Sequence, residues 1–471
     1  MNGNRYNPVD ATPVKSFFVD MLTRDIEIVD AILDLLDNCV DGILRLEREN
    51  SSQNSTPYEG FEAEITFDKS SFSISDNCGG IPWSFHDYAF RMGKDNQDRD
   101  RDLPTVGVYG IGMKRAIFKL GRQCLISTQN GGDRYEVEIT PNWIEDQDDW
   151  SLPVSEPSNS DREDDGTTIV IGELNENIEK QFDDDRENFT RELVRKIETH
   201  YAFIIAKGFQ VTVNGQEIEP KPTRLVFSET EDERGPAIRP YIYKAEVDGV
   251  HIFLSVGFTR PIPSQEEIND EQEETRYSSI DAGWTIICND RAVLYCDRTE
   301  LTGWGEAGVP RYHTQFIAIS GIVEFQSNDA AKLPTTTTKR GIDASSSIYL
   351  QVKNKMRDGM KIFTNFTNQW KGKGNASQKY IDSGKPLALD ETKTKSEKLK
   401  LNPVRSGLQG EQFMPKLPMP KPEPSSKKRI SYSKNLEDIE TVKEYLLGEQ
   451  EVSPSQVGEE CFDQILKESQ Q

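Results

Sequence analysis

The stretch Ala31-Ile-Leu-Asp-Leu-Leu-Asp-Asn-Cys-Val-Asp-Gly42 decides how the rest of the chain is read. Its spacing predicts a helix from about Thr23, as N-cap, to Glu49. At about 100° per residue, Val29, Ile32, Leu33, Leu36, Val40 and Ile43 share an apolar arc. Asp30, Asp34, Asp37, Asn38 and Asp41 share the opposite one. Like charges three and four positions apart oppose helix formation by roughly 0.2–0.5 kcal/mol per pair, so these carboxylates need water or a cation beside them. A solvated acidic face would meet that need with water alone.

Working outward, residues 1–20 read as an extended leader holding Pro8 and Pro13, and residues 50–60 as a polar loop. Phe61–Phe67 and Phe72–Ser75 alternate like two half-buried strands, the second running into Asp76-Asn-Cys-Gly-Gly-Ile-Pro82. Phe85 to Arg91 reads as helical. The charged run Gly93–Thr105 holds almost no apolar anchor and is expected to be a mobile loop. Gly107-Val-Tyr-Gly-Ile-Gly112 then opens a helix, Met113–Leu120, with Gly121 as its C-cap. Strands are predicted at Cys124–Gln129, Tyr135–Ile139 and Thr167–Ile171. This order predicts an α+β fold, a mixed or antiparallel sheet with helices on one face, and lacks the βα alternation of a doubly wound sheet.

A further helix, Phe189–Lys207, leads to the hairpin signal Asn214-Gly215. Strands follow at Tyr241–Val247, His251–Phe258, Trp284–Cys288, Ala292–Cys296 and Phe316–Phe325. After Leu333-Pro-Thr-Thr-Thr-Thr-Lys-Arg-Gly341, a long helix from Ser347 to about Lys371 ends the folded body. Residues 371–430, with 14 Lys+Arg against 6 Asp+Glu, or +8, and almost no aromatics, read as a disordered basic linker. Leu436–Leu447 and Gly458–Leu466 read as two short amphipathic helices, expected to dock on the body or on a protein partner.

The 471 residues carry a net charge of −24, which argues against a uniformly basic nucleic-acid-coating protein but leaves room for a local basic groove. Six scattered cysteines without a CxxC pair, and four histidines, offer no zinc-type cluster. No apolar run approaches the roughly 18 residues of a membrane span, and Met1-Asn-Gly-Asn-Arg-Tyr has no signal-like character, so the expectation is a cytoplasmic chain with no membrane contact.

Three elements converge on one nucleotide. Asn38 offers an amide oxygen suited to Mg²⁺, Asp34 lies one turn earlier and could orient a water, and Gly107–Gly112 presents backbone N–H groups at a helix N-terminus, where phosphate binds well. Asp76, at a strand end before bare glycine backbone, can accept a hydrogen bond from an adenine amino group. Lys114 could reach a phosphate. Each element has an ordinary reading too: a GxxGxG run is often only a turn, and an Asp before Gly-Gly an ordinary turn acid. No GxxxxGK followed by Ser or Thr occurs, which excludes a P-loop.

In that order these residues resemble the GHKL ATPase superfamily, which includes DNA gyrase B, MutL, heat-shock chaperones of the ninety-kilodalton class, sensor histidine kinases and MORC proteins. Asp34–Gly42 resembles its magnesium and catalytic helix, Asp76–Gly80 its adenine motif, Gly107–Lys114 its lid and phosphate motif, and Gly166-Thr-Thr-Ile169 its last adenine-side strand. The form Gly-x-Tyr-Gly-x-Gly-x-Lys looks most like MORC proteins. The resemblance implies a Bergerat-fold α/β sandwich at 1–175 and a ribosomal-S5-like β-α transducer domain at 176–370, then the linker at 371–430 and a helical segment at 431–471.

It further implies ATP and Mg²⁺ as ligands, Asn38 as the Mg²⁺ ligand, Asp34 in the general-base position, Asp76 on the adenine and Thr167 behind it. The remaining nucleotide contacts fall on Asp41, Gly80, Gly93, Lys94, Gly107, Tyr109, Gly110, Ile111, Gly112, Met113 and Lys114. Lys339, in Thr337-Thr338-Lys339, stands where the family returns a lysine to the γ-phosphate. Two departures stand out: Asp34 replaces the usual Glu and is one methylene shorter, about 1.5 Å, and Cys78 replaces a Gly, which is tolerated if φ stays negative there. The implied function is an ATPase acting as an ATP-gated homodimeric clamp on duplex DNA. A chaperone-like or regulatory ATPase that remodels a protein partner is the alternative. No helical pair with a phosphoacceptor histidine precedes the domain, and His200 reads as a packing residue.

Overall fold

The computed structural model describes residues 14–50, 56–92, 110–156, 164–228, 237–264, 268, 282–336, 341–371, 374–404, 409–420, 430–448 and 451–470. Met1–Met419 form one compact unit and Pro420–Gln471 a second. The fold is mixed α+β.

The chain starts with two helices where the sequence reading had a leader and one helix. α1 spans Lys15–Arg24 and α2 spans Ile28–Asn50. The leader reading of residues 1–20 is thus corrected from residue 15 on, and Thr23 is not an N-cap: its hydroxyl donates back to Val19 O at 3.0 Å inside α1. Lys15 pins α1 down. Its ammonium donates to Trp143 O at 2.8 Å and lies 3.9 Å from the Trp143 ring centroid, where the ring face attracts a cation.

An eight-stranded sheet backs α2. Its strands are β1 (Glu62–Phe67), β2 (Phe72–Asp76), β3 (Gly121–Asn130), β4 (Asp133–Ile139), β5 (Val154–Ser155), β6 (Gly166–Leu174), β7 (Gln210–Val213) and β8 (Gln216–Glu217), in the order β5-β4-β3-β6-β2-β1-β7-β8. Only β1 and β7 run parallel. Along β1, Ala63, Ile65 and Phe67 are buried and Glu62, Glu64 and Thr66 exposed, the period-2 pattern of a sheet covered on one face. The core joins that face to the apolar arc of α2 (Ile32, Leu36, Val40, Ile43), to α4 (Gly112–Leu120) and to α7 (Arg186–His200). Between them lie the short helices α3 (His86–Phe90), α5 (Pro141–Glu145) and α6 (Glu176–Asp183). The single helix expected at 189–207 is two, α7 and α8 (Ala202–Ala206), parted at Tyr201.

The second sheet, order β13-β12-β14-β11-β10-β17-β16, is built from β10 (Tyr241–Val247), β11 (Val250–Phe258), β12 (Gly283–Cys288), β13 (Arg291–Asp297), β14 (Ile319–Gln326), β16 (Asn402–Pro403) and β17 (Glu411–Phe413). The long helix α9 (Ser347–Gln369) packs on it, with Gly359 seated against Val256 and Tyr241 where a Cβ would collide.

The disordered-linker reading of residues 371–430 is corrected wherever that stretch is described. α10 (Gly374–Asp382), β15 (Gly384–Leu387) and α11 (Leu389–Ser396) are folded. β15 pairs with β9 (Leu225–Ser228), and β17 extends the second sheet at β10. Lys393 pairs with the buried Glu324 at 2.5 Å, so charge read from composition as a solvated run belongs to a packed face. The second unit holds α12 (Leu436–Leu447) and α13 (Pro454–Ser469), the latter longer than expected at both ends and N-capped by Ser453.

Candidate functional site

From Ala31 to Ile43, α2 buries every residue except Asn38. Burial of Asp34, Asp37 and Asp41 corrects the expectation of a solvated acidic face, because each of the three carboxylates has its own protein environment. Asp34 forms an ion pair with Arg115 of α4, both side chains nearly buried. Asp37, wholly buried, pairs with Arg291 of β13 at 2.6 Å. Asp41 is buried beside Tyr58, whose hydroxyl is pushed well above its ordinary pKa by burial and then by the charges of Asp290 and Asp41. Guanidinium groups offset the charges of Asp34 and Asp37, and within this stretch Asn38 alone is open.

α4 starts against Asp34, one turn before Asn38. Gly110 has φ +66°, Ile111 is the N-cap, and Gly112 is the first helical residue. A Cβ at Gly112 would lie 3.4 Å from the Asp34 Cβ, so the two helices meet where the first amides of α4 lack helical partners. Lys114 is buried and its ammonium lies 2.5 Å from Gly110 O, turned back on its own loop. Met113 is half-buried against the core.

Asp76 ends β2 one strand away. Its Oδ1 accepts from Cys78 N at 2.8 Å and Thr167 N at 3.3 Å, and its Oδ2 accepts from the Cys39 thiol at 3.5 Å. Cys39 is held as a thiol: contact with Cys78, burial and the Asp76 charge all raise its pKa well above the usual value. The loop fits against α2 because Gly42 has no side chain; a Cβ there would collide with the Cys78 carbonyl oxygen. Cys78 itself keeps a negative φ, while Gly79 (+89°) and Gly80 (+65°) turn the chain. A Cβ at Gly80 would strike the Gln129 carbonyl oxygen. Thr128 ties the floor together, accepting from Ile81 N at 2.8 Å and sharing a 3.1 Å hydrogen bond with Thr167 Oγ1.

The structure thus brings Asp34, Asn38, Asp41, Asp76, Gly80, Gly110, Ile111, Gly112, Met113, Lys114 and Thr167 onto α2, α4 and the adjoining ends of β2, β3 and β6. Gly93, Lys94, Gly107, Tyr109 and Lys339 lie outside the described residues. Sequence reasoning missed Arg115, Thr128, Tyr201 and Arg291. Only Gly42, a glycine inside a helix, carried a signal of close packing; the others look like ordinary residues of their elements.

Arg115 Nε is buried without a hydrogen-bond partner among the described residues, a donor left over beside the α4 amides. Asn38 offers the open oxygen a hard cation takes, and no cluster of three or more His, Cys, Asp or Glu able to hold a metal occurs among the described residues. No helix among the described residues is long and apolar enough to cross a membrane.

Residues 26–168 match the family model described as histidine kinase-, DNA gyrase B-, and HSP90-like ATPase. The matched stretch starts just before α2, takes in Asp76 and α4, and ends beside Thr167. No curated protein matches the chain.

Proposed function

We propose, from its GHKL-type ATP-binding domain at residues 26–168, that this chain binds Mg–ATP between α2 and α4 and hydrolyses it slowly as a nucleotide-gated clamp. The observation that carries the proposal is Asn38, the one exposed residue of an otherwise buried thirteen-residue stretch of α2. It follows by one turn the Asp34 that meets the start of α4, and precedes Cys39, whose thiol donates to an Asp76 carboxylate that two backbone amides already hold. Asp76 would take the adenine amino group, with Thr167 and Thr128 behind it. Gly80 would leave the ring room, the α4 amides and Arg115 would face the phosphates, and Asn38 would hold the metal. Mg²⁺ bound there would neutralise phosphate charge and orient the terminal phosphoryl group.

Asp34 is the group that would accept the proton of the attacking water. Two features make that step slow: the side chain is one methylene short of a glutamate, and its Oδ2 is engaged by Arg115. A water held about 1 Å from its productive position can lose about 10²-fold in rate. Lys339 is our candidate for the γ-phosphate contact that reports ATP to the second sheet.

As in the MORC and MutL proteins that the motifs resemble, the clamp would be a homodimer with ATP bound and would act on duplex DNA. A protein client is the second reading, favoured by the second unit: Tyr445, Phe462, Ile465 and Leu466 are exposed on α12 and α13. Steady-state ATP hydrolysis at low salt, with and without duplex DNA and with Asn38→Ala as the blank, tests both. Turnover raised by DNA and absent in the variant supports the DNA clamp. Turnover indifferent to DNA moves the reading to a protein client, and turnover equal in both proteins removes Asn38 from the site.

A further inference from the structure

The turn between β12 and β13 ties the second sheet to α2. β12 passes into β13 through Asn289 and Asp290, with φ of +47° and +67°, the handedness of a tight two-residue hairpin. Asp290 accepts from the Tyr58 hydroxyl at 3.0 Å and pairs with Lys207 at 2.6 Å. The next residue, Arg291, reaches Asp37 of α2, 254 positions away in the chain, through Nε at 2.6 Å. Tyr201, at the break between α7 and α8, completes the group. Its hydroxyl donates to Asp37 Oδ1 at 2.5 Å and lies 2.8 Å from Leu33 O, and its ring centroid lies 5.2 Å from the guanidinium.

These contacts grip one turn of α2, Leu33 to Asp37, and that same turn carries Asp34 and ends against Asn38. Asp37 and Asn38 are consecutive, about 100° apart around the axis, so fixing the direction of one fixes the other. A side-chain oxygen some 5–6 Å from the axis moves by about 1 Å when the helix rotates by about 10°. A buried ion pair adds little net stability over a well-packed apolar pair. What it adds here is direction: the pair is satisfied in one rotation of α2, whereas apolar contacts would accept several.

We infer that Arg291 and Tyr201 are positioning residues for the nucleotide site, holding α2 in the rotation at which Asn38 faces bound Mg²⁺. The second sheet thereby sets metal-dependent nucleotide affinity from outside the nucleotide domain. This inference rests on the reading of Asn38 given above.

The test is equilibrium binding of a fluorescent N-methylanthraniloyl ADP to the full chain, with excess EDTA and over a Mg²⁺ titration, for wild type, Asn38→Ala, Tyr201→Phe and the double variant Asp37→Leu/Arg291→Met. The double variant removes both charges together, leaves no orphaned ion, and keeps the test usable where Arg291→Met alone fails to fold. We expect the half-saturating Mg²⁺ concentration to rise about tenfold or more in the double variant and about threefold in Tyr201→Phe. Binding in EDTA, which depends on Asp76, stays within twofold of wild type. A double variant that keeps the wild-type Mg²⁺ response, or loses both components alike, overturns the positioning role. A wild type without a Mg²⁺-dependent component, or Asn38→Ala indistinguishable from it, overturns the reading of Asn38 instead.

Discussion

His200 makes the joint between α7 and β13 sensitive to acid. Its Nδ1 lies 2.5 Å from Ala292 O, so the neutral ring carries its proton there and donates it, leaving Nε2 as the atom that would take a second. Burial first, and then the neighbouring guanidinium of Arg291, oppose that second proton. Lys196 opposes it as well, against weaker support from Ala292 O and Asp37, and the pKa falls from 6.5 to about 4. Between those two values the unfolded chain binds more protons than the folded one. The stability that neutral His200 provides is therefore complete above pH 6.5 and drains away as the pH falls towards 4, at no more than about 1.4 kcal/mol per pH unit. From pH 7.5 to 5 the ceiling is about 2 kcal/mol; the ring is only half-buried, and screening by water brings the expected loss to about 1–2 kcal/mol. His200→Asn keeps a donor for Ala292 O and cannot titrate. Urea unfolding of both proteins at the two pH values isolates the effect, because the carboxylates common to both cancel in the difference. Wild type should lose about 1–2 kcal/mol more than the variant; profiles parallel to within about 0.5 kcal/mol would refute the reasoning.

Arg115→Met should destabilise the chain by about 3–5 kcal/mol, because it leaves the Asp34 carboxylate buried and unpaired; adding Asp34→Leu should restore most of that loss in the urea midpoint. Asp34→Asn should abolish hydrolysis while binding of a fluorescent ATP analogue changes less than threefold, and turnover that survives would assign the base to another residue. Gly42→Ala should cost about 1–3 kcal/mol by forcing the Cys78 loop off α2, and a thermal midpoint within 1 °C of wild type would contradict the collision drawn from the structure. Gly80→Ala combines the clash with Gln129 O and an unfavourable φ. Nucleotide affinity should fall at least tenfold in an equilibrium binding titration.

The parts of this fold that were legible in the sequence are the local ones. Ala31–Gly42 announces a helix because its apolar positions repeat at helical spacing, and the arc of Ile32, Leu36, Val40 and Ile43 is buried in the core, although the acidic arc opposite is buried as well. The strand at Asp76 and the glycine turn before α4 are visible for the same reason, since each is settled by residues within a few positions. Who neutralises Asp34 and Asp37 was not legible. A helical wheel shows which charges share a face, and says nothing of an arginine 81 or 254 positions away. Residues 374–396 failed differently. Their Lys-rich composition reads as unpacked, yet Leu387 and Leu389 are buried and β15 finds an unfilled strand edge at β9. Backbone pairing needs few apolar side chains, so composition undercounts order wherever a neighbouring sheet supplies the partner.

The three buried carboxylates of α2 separate two properties that a nucleotide switch needs. Asp34 points towards α4 and can affect the chemical step, whereas Asp37 points towards β13 and can affect only how α2 is turned. Asp41 lies near Tyr58, which bonds to Asp290 in the same turn that carries Arg291. A ligand can shift such an assembly only by its differential affinity for two arrangements of it. On the reading proposed here, that difference is felt through the rotation of α2, and hydrolysis serves to reset it. A chain whose Asp34 has lost turnover would therefore still close on ATP, whereas one whose Asp37–Arg291 pair is broken would need more Mg²⁺ to hold the nucleotide.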